Sequence, residues 1–136
     1  MRKIILLITI ITLFTNCSKD DDDNTTITIN DIAKNVEMSF SIENYQPGLI
    51  TFSGSVFSVI KNNNNVDFNV RSLKVYEVNG DVLYEKNYNN DFITVSKNGG
   101  EWLDGKNFNY ALFPVIFEWT IVYKNETKII QDTFEK

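Results

Sequence analysis

From Thr25 to Lys136 the chain holds 11 Ile, 11 Val and 8 Thr against 5 Leu, 2 Ala and 1 Met. Side chains branched at Cβ lose χ1 freedom against the preceding turn of a helix but pack well on a pleated surface. A bias of this size predicts strands and leaves few good apolar helix formers. The periodicity agrees. Val36, Met38, Phe40 and Ile42 alternate with Glu37, Ser39, Ser41 and Glu43, the period of two expected of a strand with one wet face. After the turn residues Gln46-Pro47-Gly48, Ile50 and Phe52 alternate with Thr51 and Ser53 as far as Gly54. Val56 is then followed directly by Phe57, and a bulge near the glycine accounts for the change of phase.

The sharpest local signal is Asn79-Gly80, set between Leu73-Lys74-Val75-Tyr76-Glu77-Val78 and Asp81-Val82-Leu83-Tyr84-Glu85-Lys86. It predicts a two-residue type I′ hairpin, whose two central positions both need positive φ. In that register Val75 faces Tyr84, Glu77 faces Val82, Tyr76 faces Leu83 and Lys74 faces Glu85. The charge pair tunes the register by ~0.2–1 kcal/mol and does not create the hairpin. Further strands are expected at 92–97, 107–123 and 127–134. In the longest, Phe113, Val115, Phe117, Trp119, Ile121 and Tyr123 share a face and are expected at the centre of the core. Pro114 lacks the N–H a ladder requires, so the run should break or lie on an edge there. Lys124-Asn125-Glu126 turns the chain into a last strand that buries Ile129 or Ile130.

Seven or eight strands in about 112 residues, with no convincing helix, predict an all-β fold, a single antiparallel β-sandwich, with a small β-barrel as the competing closure. The strand spacing, a Tyr-bearing mid-chain hairpin and late aromatics resemble an immunoglobulin or fibronectin type III module, a likeness of architecture alone. A domain of this size builds a core without disulfides.

Residues 1–24 follow another logic. Met1-Arg2-Lys3 precedes an apolar run from Ile4 to Phe14, and Asn16-Cys17-Ser18 follows, the order of an export signal. Eleven residues at ~1.5 Å rise cover about half of a ~30 Å hydrocarbon core, which favours a cleaved signal over a permanent span. Leu13-Phe14-Thr15-Asn16-Cys17 resembles a bacterial lipoprotein lipobox. Asn16 stands where Gly or Ala is usual and Phe14 where Leu is usual, departures familiar in lipoproteins of the Bacteroidota. The resemblance implies lipidation of Cys17. Ser18, Lys19, Asp20, Asp21, Asp22 and Asp23 come next, a run whose like charges repel and stay hydrated. It resembles the signal that sends lipoproteins of that group to the outer face of the outer membrane; a plain solvated spacer is the alternative, and a calcium loop is disfavoured because four consecutive Asp lack the alternate spacing and the Gly of an EF-hand. The expected organisation is a signal peptide over 1–16, an acidic tether over 17–24 and the sandwich over 25–136.

Composition narrows function. The chain has no His and one Cys, which removes Ser-His and Cys-His nucleophile pairs, imidazole zinc sites and an internal disulfide. A net charge of −5 argues against nucleic acid as a partner. No Gly-rich phosphate loop, nucleophile elbow or metal-ligand spacing is present, and neither an enzyme nor a cofactor is expected. Glu118, between Phe117 and Trp119, is sent by strand alternation to the opposite face from both and reads as an exposed acid. Trp102, in Gly99-Gly100-Glu101-Trp102-Leu103-Asp104-Gly105, reads as a loop Trp. It either stacks on a sugar or partner protein as the candidate ligand-binding residue, or folds back to cap the sandwich. Asn62 to Asn65 reads as a flexible loop tip without function. These features together predict a non-catalytic, lipid-anchored outer-membrane protein facing the cell exterior. It acts as a protein-interaction or scaffolding module, or as a glycan-binding accessory of a polysaccharide-uptake system.

Overall fold

The computed structural model describes residues 26–88 and 93–135. A short helix, α1 (Ile29–Lys34), leads into eight strands: β1 (Val36–Pro47), β2 (Thr51–Asn62), β3 (Phe68–Glu77), β4 (Val82–Asn87), β5 (Ile93–Val95), β6 (Gly100–Leu112), β7 (Val115–Tyr123) and β8 (Glu126–Phe134). One antiparallel sheet runs β1-β2-β6 and the other β4-β3-β7-β8, with β5 also paired to β3. Both sheets keep free edges, so the fold is an all-β sandwich and not a closed barrel.

The core lies between the sheets. Val115, Phe117, Trp119 and Ile121 of β7 are fully buried, as their alternation predicted; beside them on the same sheet lie Val70, Leu73 and Val75 of β3, and the other sheet contributes Phe52, Val56 and Ile60 of β2. Trp119 is satisfied within this apolar layer, because its Nε1 donates to the buried Ser58 Oγ at 2.8 Å. The break at Pro114 falls where expected, between β6 and β7. On β8, Ile130 packs on the core and Ile129 is exposed.

The structure corrects several expectations. A helix is present: Thr28 caps α1 in a capping box with Asp31, and Ile29 and Ile32, one turn apart, close the end of the sandwich. The hairpin loop has three residues, not two. Glu77 N donates to Asp81 O at 3.0 Å and Gly80 N to Glu77 O at 2.8 Å. Gly80 takes φ +93° while Asn79 stays out of the left-handed region, its side chain bonded to the N–H and carboxylate of Asp81. A bulge at Leu83 offsets the extra loop residue, so Val75 still faces Tyr84 and Lys74 faces Glu85, whereas Tyr76 faces Val82. Lys74 lies over the Tyr76 ring instead of pairing with Glu85.

Around Gly54 the bulges sit on both neighbours of β2, in β1 between Glu43 and Gln46 and in β6 between Phe108 and Ala111. β2 itself never changes phase: Phe52, Gly54, Val56, Ser58 and Ile60 all turn inward and Phe57 outward. Gly54 has φ +131°, and a Cβ there would lie 2.8 Å from Asn44 O. Ile50, expected inward, is 64% exposed in the β1–β2 turn. The Asn run is no flexible tip. Asn62 Nδ2 donates to Val66 O and Val95 O at 2.9 Å each, and its Oδ1 accepts from Asn64 N and Nδ2 at 3.0 Å each. Asn64 Nδ2 donates in turn to Ile32 O. Three chain segments expose backbone carbonyls at this end, and the buried amides satisfy them.

Candidate functional site

The inner face of β6 presents Trp102, Asp104, Lys106 and Phe108 in succession. β6 is an edge strand, and across the open side of the sandwich it meets β4, the edge of the other sheet. There Asp104 collects donors from both sheets: Lys86 Nζ at 2.8 Å, Tyr88 OH at 2.5 Å, Tyr84 OH at 3.2 Å and its neighbour Gly105 N at 2.7 Å. Burial works against the charged form of Asp104, yet the hydrogen bonds from Lys86, Tyr88 and Gly105 N outweigh it and hold the carboxyl below its ordinary value. The bond to Asp104 raises Lys86. Burial first, and the Asp104 bond second, push the Tyr88 phenol far upward. Every group is thus locked in its neutral-pH state, a salt-bridged clasp that joins the sheets.

Next to the clasp, Lys106 Nζ donates to Leu83 O at 2.9 Å, and beyond it a pocket of about 270 Å³ opens, lined by Leu83, Lys106, Asn107, Phe108, Asn109 and Tyr110. Both flanking strands bulge here, β4 at Leu83 and β6 between Phe108 and Ala111. Bulges re-aim side chains at sheet edges.

A second polar group lies on the outer face of the larger sheet. Glu118 Oε2 accepts from Tyr76 OH at 3.2 Å and from Gln131 Nε2 at 2.6 Å. Glu118 does point away from Phe117 and Trp119, as alternation required, but it is half-buried rather than free. Burial raises the Tyr76 phenol, helped by the Glu118 charge.

Trp102 is not in a loop: it lies within β6, turns inward and packs half-buried against the core, with its buried Nε1 lacking a hydrogen-bond partner. It does not share the groove. Cys17, Ser18, Lys19 and Asp20 to Asp23 lie outside the described residues. Sequence reasoning missed Asp104, Tyr84, Lys86 and Tyr88. The period-two spacing of Tyr84, Lys86 and Tyr88 announced a common face, but nothing announced its acid. Among the described residues no group of His, Cys, Asp and Glu is placed to hold a metal, and no helix is long and apolar enough to cross a membrane.

No family model and no curated protein matches the chain. A solved structure described as the X-ray structure of Northeast Structural Genomics Consortium target SoR45 is similar at 12% identity and a TM-score of 0.48, covering 74% of this chain and 86% of that one.

Proposed function

We propose that this is a non-catalytic surface lipoprotein, anchored in a bacterial outer membrane through Cys17, whose sandwich is a protein-interaction or scaffolding module. The observation that carries the reading is the polarity of the domain. The chain enters at α1, beside the β7–β8 turn, where Ile29 N donates to Glu126 Oε2 at 3.0 Å. The β1–β2, β3–β4 and β6–β7 connections lie at the far end, tied together by Phe113 N donating to Ile50 O and Leu112 N to Glu77 Oε1. At that end Leu49 is 86%, Val78 69% and Ile50 64% exposed. A domain tethered at its α1 end presents these apolar loops away from the anchor, where a partner protein meets them.

Site-specific photo-crosslinking on intact cells tests this. A photoreactive residue at Leu49 should give a discrete adduct and one at Lys128, beside the tether, none; equal yields from both would overturn the reading. Palmitate labelling that is unchanged in Cys17→Ala would remove the anchor. A second reading, a glycan-binding accessory, draws support from the groove beside Tyr110 and no longer from Trp102, whose indole is turned inward.

A further inference from the structure

The groove between the bulged edges of β4 and β6 has a chemistry of its own, and we propose that it binds a single sugar ring carrying a carboxylate, a hexuronate, free or as a unit of a polymer. The inference rests on the glycan reading and specifies its ligand. At about 270 Å³ the space is smaller than the ~300–1,000 Å³ typical of drug-sized ligands, so it takes one ring. Tyr110 is 68% exposed and offers an aromatic face of the kind on which the C–H face of a pyranose stacks. Asn107 and Asn109 line it with side-chain amides that make no hydrogen bond among the described residues, and each supplies a donor and an acceptor to neighbouring hydroxyls.

The carboxylate requirement comes from Lys106. Its ammonium has three donors, of which one is used among the described residues, on the neutral carbonyl of Leu83. It belongs to none of the ion pairs among the described residues. The acid next along the same strand face, Asp104, is already bonded to Lys86, Tyr84 and Tyr88. With Lys86 and Asp104 cancelling, the rim of the groove keeps one positive charge on a chain whose net charge is −5.

The test is NMR titration of the isotopically labelled full chain with D-glucuronate, D-glucose, acetate and an oligogalacturonate. Glucuronate should shift the amide signals of Lys106 to Tyr110 with millimolar affinity, and glucose and acetate should bind at least ten-fold more weakly. Lys106→Met should remove the preference for glucuronate over glucose, and Tyr110→Ala should remove binding of both sugars, with the spectrum elsewhere unchanged. Oligogalacturonate binding tighter than the monomer assigns a polymer as the source, and the reverse assigns the free sugar. Acetate binding as well as glucuronate overturns the inference, because the ring is then irrelevant. Glucose binding as well as glucuronate overturns it too but leaves the glycan reading standing, and no shift with any probe overturns both.

Discussion

Asp104→Asn is the perturbation that most directly tests how the open side of the sandwich is closed. The Lys86 side chain is 46% exposed, so solvent screens its ion pair to ~0.5 kcal/mol. Tyr88 is only 8% exposed, and a charge-assisted bond from a buried phenol contributes ~1.5 kcal/mol. Asn keeps one acceptor oxygen but loses the charge. The expected cost at pH 7 is therefore ~1–2 kcal/mol, rising to ~2–3 kcal/mol for Asp104→Ala, which leaves the Tyr88 hydroxyl without its acceptor. Urea unfolding followed by Trp fluorescence measures both. The pH dependence carries a sign. Because the folded carboxyl titrates below its ordinary value of 3.8, its stabilisation is complete above that pH and is lost as pH falls through the lower folded value. The gap between wild type and Asp104→Asn should thus narrow from pH 7 to pH 2. A gap under ~0.5 kcal/mol at pH 7, below what one such hydrogen bond contributes, or a gap that does not change with pH, would refute the clasp as described.

Three further outcomes are expected. Wild type should lose stability above pH 10, because Tyr88 and Tyr84 both ionise above the ordinary phenol value of 10.0 when folded, so their contribution is full below pH 10 and fades beyond it; alkaline urea melts check this. Asn62→Ala removes four hydrogen bonds, three of them buried, and takes the side-chain donor from the carbonyls of Val66 and Val95, which should cost ~3 kcal/mol in a denaturant melt. Ser58→Ala orphans the Trp119 Nε1 and should cost ~1–3 kcal/mol, and the double mutant with Trp119→Phe should cost less than the two singles added.

What was legible in the sequence was what alternation encodes. β7 is buried along one face from Val115 to Ile121, and a period of two states that without any knowledge of its neighbours. Inter-strand register was legible away from turns and not at them. The Asn79-Gly80 dipeptide announced a hairpin, but loop length depended on whether Asn79 took positive φ, and its bonds to Asp81 decided against that. α1 had a capping-box signature at Thr28 and Asp31, obscured because its Ile residues counted toward strand. The Asn run misled because residue type suggested solvent, whereas its burial was set by carbonyls of neighbouring segments. For Trp102 the flanking glycines suggested a loop where β6 runs, while the reading that its indole folds back onto the sandwich agrees with its packing. Asp104 was invisible because its partners lie 16 to 20 residues off, in the other sheet.

The two open sides of this sandwich are closed by opposite chemistries, and that difference locates the groove. Where β1 meets β8, Phe40 packs edge-on to Phe134 at 5.4 Å and tilted to Phe117 at 5.2 Å, and Tyr45 reaches Phe134 at 5.9 Å. Such rings gain ~0.5–1.5 kcal/mol per pair beyond their burial, so that side is closed by apolar packing. Where β4 meets β6, the sheets are held by a carboxylate, an ammonium and two phenols, which need water or each other at their rims. Polar closure tolerates a gap that aromatic closure would fill. The gap lies where the clasp ends and both strands bulge, which puts Lys106 and Tyr110 at a wet edge instead of in a core.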